Sequence, residues 1–322
     1  MSEYRPSGPD RPAGCQYKEM RISHIIRESI ITAAVSICLL SMQSCFKDNV
    51  DGGLHSKPIE FETVMTRDAG LTDASLNSFK VTAFIDDAGS TQFMKDEDVV
   101  LTSGKWTYSP MKYWPHQDQV HFMAYSTSLE TNPKIRPDFV KVGDKFQSTF
   151  NYTLPSPENA ANSTDAENQP DIVFAFRTGM TEQDGSVSFK FSHALTALQF
   201  KVGTVLPNTT LQKIELFKIP NKGTCVVSST SDDNVSFTWT LQPDFQRIDY
   251  VQSYDSLALT DGMVISEVDS PTTFMMIPQT LDDKAHLRLY VEVDGVSQTR
   301  QVSLEGTTWL PGEIHTYTIS LD

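Results

Sequence analysis

The sequence predicts an all-β protein, with two β-sandwich domains in series behind a signal region. Runs of alternating apolar and polar residues recur from residue 59 to residue 321, and this period of two is typical of half-buried strands. Turn sequences separate the runs, and no helix of convincing length is indicated after Cys45. The 322 residues suit a leader followed by two domains of roughly 130 residues each.

The stretch from Val187 to Val202 marks the predicted boundary between the two domains. Its first half has apolar residues at odd positions 187–191, and its second half has them at even positions 198–202. This change of parity, across residues 193–196, requires a bend, a bulge or a switch of sheet. We therefore predict an N-terminal sandwich over residues 59–186 and a C-terminal sandwich over residues 187–322.

The first 44 residues are predicted to be a signal region, and Met20 offers an alternative start within it. Basic residues follow Met20, and an apolar run from Ile30 to Leu40 is too short to span a bilayer stably. The run ends at Leu40-Ser-Met-Gln-Ser-Cys45, which resembles a bacterial lipoprotein signal. Cys45 would then carry palmitate-type acyl chains, and residues 45–58 would form a lipidated tether. The alternative is an ordinary signal peptide with an incidental cysteine.

The N-terminal domain is predicted to begin with a strand in which Ile59, Phe61 and Thr63 face one side. Residues 86–90 have the composition of a turn. The segment 127–170 is long, polar and rich in Pro and Asn, which is typical of a functional or a mobile loop. Within it, only residues 149–154 resemble a strand. The other strands are expected at residues 78–85, 99–101, 120–125 and 171–176, and in the run 106–115, which contains an aromatic turn broken by Pro.

The C-terminal domain is predicted to consist of strands joined by short turns. Asp294-Gly295 stands between two alternating runs and is a strong hairpin signal. In the last strand Tyr317, Ile319 and Leu321 share one face, and Ile314 begins the run. After the junction, the strands are expected at residues 210–219, 223–227, 235–241, 264–268, 273–277, 285–293, 298–304 and 313–322.

Composition and motifs predict a protein without catalytic, cofactor or metal sites. The net charge of −15 argues against a nucleic-acid partner, which requires neutralised phosphates. No histidine pair has metal-ligand spacing, and no GxSxG, P-loop or Gly-rich dinucleotide turn occurs, so we expect no enzyme. Cys225 lies in an apolar run and is interpreted as a buried thiol rather than a reactive one. The acidic residues 96–98 indicate a solvated edge rather than a cation site.

Four aromatic residues between positions 106 and 114 allow two interpretations. Trp106, Tyr108, Tyr113 and Trp114 can fill a core and its rim, or they can form a sugar-binding platform. We favour the core, because aromatics at this spacing in a β-protein usually pack inside.

Several short motifs, taken in order, resemble the fimbrillin-like proteins of Bacteroidales, the subunits of type V pili. The likeness covers most of residues 45–322, and it rests on the order and spacing of the motifs, since each alone is weak. The motifs are Thr66-Arg67, Trp106-x-Tyr-Ser-Pro-x-x-Tyr-Trp-Pro, Val120-x-Phe-x-Ala-Tyr, Gln169-Pro-Asp171, Phe189-x-Phe-x-His-Ala-Leu, Met275-Met-Ile-Pro-Gln279 and Trp309-x-Pro-Gly-Glu-x-His-x-Tyr317-x-Ile.

The resemblance implies two transthyretin-like sandwiches, a lipidated precursor at the outer membrane and assembly with other pilus subunits by strand exchange. Arg67 matches the position after which a trypsin-like protease removes the first strand in polymerising members of the family. The last strand, with Ile314, Tyr317, Ile319 and Leu321, would be the donor strand or its partner. The role implied is adhesion by a cell-surface fimbrium, as stalk, tip or anchor. The alternative is a non-polymerising surface lipoprotein that binds a host protein or a glycan.

Overall fold

The computed structural model describes residues 56–65, 76–86, 91–116, 118–126, 135–155, 169–230, 233–266 and 273–321. Within these ranges the fold is all-β, as predicted, with strands β1 to β18 and one short 3₁₀ helix at Glu182–Asp184. Cys45, Arg67 and the signal region lie outside the described residues, so the predictions on them stay predictions.

The first nine strands run from residue 61 to residue 193. They are β1 (Phe61–Met65), β2 (Ser78–Ile85), β3 (Gln92–Thr102), β4 (Lys105–Thr107), β5 (Val120–Ser126), β6 (Val140–Val142), β7 (Lys145–Thr153), β8 (Val173–Met180) and β9 (Val187–His193). The remaining strands are β10 (Thr196–Val205), β11 (Thr209–Pro220), β12 (Lys222–Ser229), β13 (Val235–Leu241), β14 (Arg247–Ala258), β15 (Phe274–Met276), β16 (His286–Val293), β17 (Val296–Ser303) and β18 (Ile314–Leu321).

Seven strands form the largest sheet, in the order β1-β9-β8-β5-β2-β3-β4. Its strand β5 is covered on both faces, and all seven of its residues are buried. In β5, Phe122 and Ala124 enter one core while Met123 and Tyr125 enter another. We call the core containing Phe122 the first core and the core containing Tyr125 the second core. The second core continues into the C-terminal strands, which explains why buried residues of both halves of the chain belong to it.

Three smaller sheets complete the fold. One has the order β13-β12-β7-β6 and packs on the seven-stranded sheet, where Phe150 stacks on Phe174 with ring centroids 5.6 Å apart. The other two have the orders β15-β10-β18 and β14-β11-β16-β17 and face each other across the second core. Apolar side chains alternate along these strands, as in β16, because only one face of each sheet is buried.

The junction at residues 187–202 is a switch of sheet, one of the three options that its parity predicted. β9 lies in the seven-stranded sheet and β10 in the three-stranded sheet, with residues 194–195 between them. The domain boundary at residues 186 and 187 stays a prediction. One sheet takes strands from both sides of that position, since β7 pairs with β12 from Gln147↔Ser228 to Thr153↔Lys222.

Two features of the C-terminal half differ from the sequence prediction. The strand expected at 264–268 is reduced, in its described part, to a single bridge between Val264 and Lys201. The twelve-residue strand β14 was not predicted, because only its first half alternates and its second half, from Ser253 to Ala258, is largely exposed. The Asp294-Gly295 hairpin is confirmed between β16 and β17, with positive φ angles of 50° and 79° that suit this turn.

Candidate functional site

The first strand runs parallel to β9 at the edge of the seven-stranded sheet. The register places Phe61 opposite Val187 and Thr63 opposite Phe189. The amide of Val187 donates a hydrogen bond to the carbonyl of Glu60 at 2.8 Å, which extends the pairing toward the N-terminus. Among the described strands, β1 pairs with β9 alone, at the edge of the sheet. An edge strand of this kind can be replaced by another strand without rearranging the rest of the sheet.

The residues before β1 are held on their other side by the aromatic turn. The amide of Ile59 donates to the carbonyl of Lys112 at 2.9 Å, and the amide of Trp114 donates to the carbonyl of Lys57 at 3.1 Å. The hydroxyl of Tyr108 donates to the carbonyl of Ile59 at 3.0 Å. Burial raises the pKa of Tyr108, so its hydroxyl keeps the proton that this bond needs. We call the space occupied by residues 57–65, between β9 and residues 108–114, the first-strand slot.

The buried face of the first strand fills the first core. Ile59 and Phe61 are 0% and 4% exposed, whereas Val64 is 52% exposed, which confirms the predicted alternation. The ring of Phe61 lies within 6.3 Å, between centroids, of four other rings: Phe79, Tyr108, Phe122 and Phe189. Burying a side chain such as Ile59 or Phe61 contributes about 1.5–3 kcal/mol, so the strand is held mainly by these two residues.

The last strand, β18, pairs in parallel with β10 and closes the second core. Ile319 and Leu321 are buried and Ile314 is half-buried, so the predicted apolar face is confirmed. Tyr317 stacks on Phe200 with ring centroids 5.7 Å apart, and its hydroxyl accepts a hydrogen bond from Trp309 Nε1 at 2.9 Å. Burial raises the pKa of Tyr317 to about 12. β18 is therefore a core strand of its own sandwich.

The four aromatic residues near the slot form part of the core and its rim rather than a platform. Trp114 is 3% exposed, and Trp106 packs on Phe79 with ring centroids 4.7 Å apart. Tyr108 is half-buried against Phe61, and Tyr113 is 50% exposed. The interpretation as core and rim is confirmed, and the arrangement gives a glycan no pair of exposed stacked rings.

Two of the acidic residues 96–98, Asp96 and Asp98, form hydrogen bonds or ion pairs with their neighbours. Asp96 Oδ1 accepts hydrogen bonds from the hydroxyls of Thr82 and Tyr125, both at 3.1 Å. Asp98 forms an ion pair with the buried Lys80 at 2.8 Å. In the part of the chain that the structure describes, no group of three or more His, Cys, Asp or Glu side chains is placed to hold a metal ion.

Cys225 is a buried thiol, as predicted, on β12 in the second core. Desolvation raises the pKa of this thiol well above its usual range, which suppresses the reactive thiolate. Its role is therefore packing.

Sequence reasoning missed a buried pair that joins two of the quoted motifs. His193 Nδ1 lies 2.8 Å from Asp171 Oδ2, and both side chains are at least nine-tenths buried. The pair ties the last residue of β9 to Asp171, which lies two positions before β8 begins. The chain changes sheet immediately after His193. Both residues belonged to recognised motifs, but nothing in their spacing indicated contact. None of the described helices is long and apolar enough to cross a membrane.

Comparison with known proteins settles the family. The family model described as fimbrillin-like matches residues 66–322. The chain belongs to the fimbrillin-like family. A curated relative, the fimbrium subunit Fim1C of Phocaeicola vulgatus, is 28% identical over 114 residues. That match covers 33% of this chain and only 29% of the relative.

The chain is similar to solved structures of fimbrial and cell adhesion proteins. A fimbrial protein from Bacteroides vulgatus matches with a TM-score of 0.50 and 17% identity, over 82% of this chain and 94% of the other. A putative cell adhesion protein from Bacteroides uniformis matches with a TM-score of 0.49 and 15% identity, over 82% of this chain and 93% of the other. At this level of identity the first likeness supports the fold alone.

Proposed function

We propose that this fimbrillin-like protein is a cell-surface fimbrial subunit that assembles by β-strand exchange and acts in adhesion. Membership of the family supports the fimbrial role. The observation that carries the assembly mechanism is the first-strand slot, in which the first described strand supplies Ile59 and Phe61 to a core otherwise formed by residues between 76 and 191.

Removal of the first strand would leave an acceptor site for another strand. The rings of Phe79, Phe122 and Phe189 would lose their contacts with Phe61, and the edge of β9 would lose its parallel partner. An apolar slot beside unpaired backbone groups binds an extended segment that has apolar side chains at alternate positions. The net free-energy cost of such an exchange is small, because the incoming strand forms the same kinds of contact as the strand it replaces.

Cleavage after Arg67 is the step that would detach the first strand. Arg67 lies two positions after Met65, the last residue of β1. A cut after Arg67 would therefore separate the first strand from the rest of the protein. The removed segment would include Cys45, whose lipid would hold the precursor at the outer membrane until maturation. A mature subunit would leave the membrane with an open slot.

The last strand of a neighbouring subunit, or a strand paired with it, would be the donor. Residues 314–321 match the slot in length and in alternation, with Tyr317, Ile319 and Leu321 on one face. Donation by β18 requires its separation from β10, and the same apolar residues would be buried again in the neighbour's slot. Because donor and acceptor are different surfaces, the contact does not close on itself, and repetition produces a fibre.

The direct test is the substitution Arg67→Ala, compared with Arg136→Ala as a control away from the slot. We expect Arg67→Ala to block polymer formation, and the intact mass of the membrane protein should then begin at Cys45 with acyl chains. The unchanged protein and the control should yield a polymer whose subunits begin at Asp68 without lipid. Unaltered polymers of Arg67→Ala would contradict the proposal. A lipidated mass for the unchanged protein would instead indicate an anchor or a non-polymerising lipoprotein.

A further inference from the structure

The strand β17 overhangs the sheet that faces it. Residues of β16 and their opposite neighbours in β17 share a face, with Leu287 opposite Val302 and Leu289 opposite Arg300. Leu287 and Leu289 are 3% and 6% exposed, whereas Val302 is 55% exposed. The facing sheet, β15-β10-β18, therefore reaches far enough to cover β16 but not β17. A sandwich in which one sheet is wider by a strand leaves an apolar ledge.

A groove lies beneath this ledge. Its volume is about 320 Å³, and the side chains of Leu287, Leu289, Ile319 and Leu321 contribute its apolar lining. Thr318 and Ser320 form one wall, and Arg300 to Val302 form the other. We call this space the β17/β18 groove. It runs along a strand edge, and this shape suits an extended chain better than a compact ligand.

The edge of β18 that faces the groove has backbone groups directed away from β10. The amide of Ala197 donates to the carbonyl of Glu313, and peptide groups alternate in direction along a parallel strand. Odd-numbered residues of β18 therefore bond to β10, while the peptide groups of Thr316, Thr318 and Ser320 point to the other side. Within the described residues β18 is the last strand of its sheet on that side. A fourth strand added there would lie under Val302.

The charges at the groove favour an acidic strand. Among the described residues that line the groove, only Arg300 is charged, and Lys201 stands opposite Thr318 on the outer face of β10. The first strand of this chain alternates Ile59 and Phe61 with two glutamates. It is also the strand that the proposed maturation detaches from its own slot.

We propose that the β17/β18 groove binds the first strand of a second copy of this chain, as a fourth strand beside β18. The proposal rests on the proposed function for the release of that strand. Ile59 and Phe61 would cover Val302 and the apolar lining, while Glu60 and Glu62 would lie on the opposite face of the added strand, the outer face on which Lys201 stands. Because the cut strand would keep its lipidated tether, this binding would hold a neighbouring subunit at the membrane after maturation.

The test measures binding of a labelled synthetic peptide of residues 56–65 to the full chain carrying Arg67→Ala, by fluorescence polarisation. This variant keeps its own first strand, so the first-strand slot is occupied and only the β17/β18 groove is offered. We expect saturable binding that Val302→Asp weakens at least tenfold, because a carboxylate would have to be buried under the peptide. The control Val296→Asp, on the same strand but outside the groove lining, should bind like the parent.

Two further variants separate backbone pairing from charge. Thr318→Pro removes one amide on the free edge of β18 without touching the bonds to β10, and it should weaken binding at least about tenfold. A peptide with Glu60→Gln and Glu62→Gln should bind more weakly at low salt than the natural peptide, and the difference should shrink as salt is raised.

Each contrary result overturns the proposal in a recognisable way. No binding of the peptide, or equal binding by Val302→Asp and Val296→Asp, would remove the groove as its site. A dimer of the peptide-free protein that Val302→Asp abolishes would assign the groove to a folded edge of a second copy instead. These outcomes leave the polymerisation test with Arg67→Ala unaffected, so failure of this inference and failure of the proposed function are distinguishable.

Discussion

Phe61 of the first strand lies stacked on Phe189 of β9, with ring centroids 5.7 Å apart and ring planes 20° apart. This contact joins the segment that maturation would remove to the strand that leads into the switch of sheets. Phe61 also meets Phe79 and Phe122 edge-on, so a single side chain supplies much of the contact between the first strand and the first core.

Phe61→Ala should destabilise the uncut protein by about 3–5 kcal/mol, because it removes a buried ring and leaves a cavity among four others. Urea unfolding of the Arg67→Ala background would measure the loss. The control Val64→Ala, on the exposed face of the same strand, should change stability by no more than about 0.5 kcal/mol. After the first strand has been removed, the Phe61 substitution should have no effect at all. A small loss in the uncut protein would show that the slot is not filled by this strand in solution.

Tyr108→Phe should loosen the N-terminal half of the first strand. The hydroxyl donates to the carbonyl of Ile59, and the amide of Lys112 donates back to the hydroxyl at 3.2 Å. Loss of these bonds in a half-buried place should cost about 1–2 kcal/mol. Hydrogen exchange at the Ile59 amide should become faster, while amides of β2 keep their rates. Tyr113→Phe is the matched control, because Tyr113 is 50% exposed, and no change is expected there.

Local patterns in the sequence predicted most of the strands. They did not predict which strands pair with each other across long stretches of sequence. The parity change between Phe191 and Leu198 required a break in the sheet, and the structure has a switch of sheet at that point. Nothing in the same residues revealed that β9 takes the first strand as a parallel partner. Parallel pairing depends on which segments meet in space, and it leaves no periodic signal along the chain.

The same distinction explains what was missed at the candidate site. The alternation of Ile59 and Phe61 could be recognised as a strand with one buried face. The hydrogen bonds that hold this strand could not be predicted, because Tyr108 bonds to the backbone of Ile59 across 49 positions of sequence. The β17/β18 groove was also hidden, since it results from unequal widths of two facing sheets rather than from any residue pattern.

Gly203→Ala should weaken the pairing of β10 with β18. A Cβ at this position would clash with Ser320 Oγ and lie 3.1 Å from Thr318 Cγ2, so the Ser320 side chain would have to rotate and Thr318 would have to move slightly. We expect a loss of about 1–3 kcal/mol in the free energy of unfolding. The double substitution Gly203→Ala with Ser320→Ala should recover part of the loss, because the shortest clash disappears. Purely additive effects of the two substitutions would contradict a direct contact.

His121 should make the protein less stable as the pH falls below about 6.5, the usual pKa of histidine. Its Nδ1 accepts a hydrogen bond from the amide of Gly179 at 3.1 Å, so the folded state needs this nitrogen unprotonated. Desolvation lowers the pKa of His121, with Lys141 acting in the same direction and Asp86 and Asp233 opposing it. The unfolded chain therefore binds a proton at a pH where the folded chain does not. The free energy of unfolding falls from about pH 6.5 down to the folded pKa.

The measurement is the free energy of unfolding between pH 7.5 and pH 5 for the natural protein and for His121→Gln. The natural protein should lose up to about 1.4 kcal/mol per pH unit more than the variant, which is the slope for one proton. His116→Gln, at an exposed loop position, should keep the natural slope. Protonation of Asp86 does not affect this comparison between pH 7.5 and pH 5. The hydrogen bond from Lys141 lowers the pKa of its carboxyl, so its contribution to stability is lost only below about pH 4. Equal slopes in the natural protein and in His121→Gln would mean that His121 binds its proton as readily in the folded state as in the unfolded one.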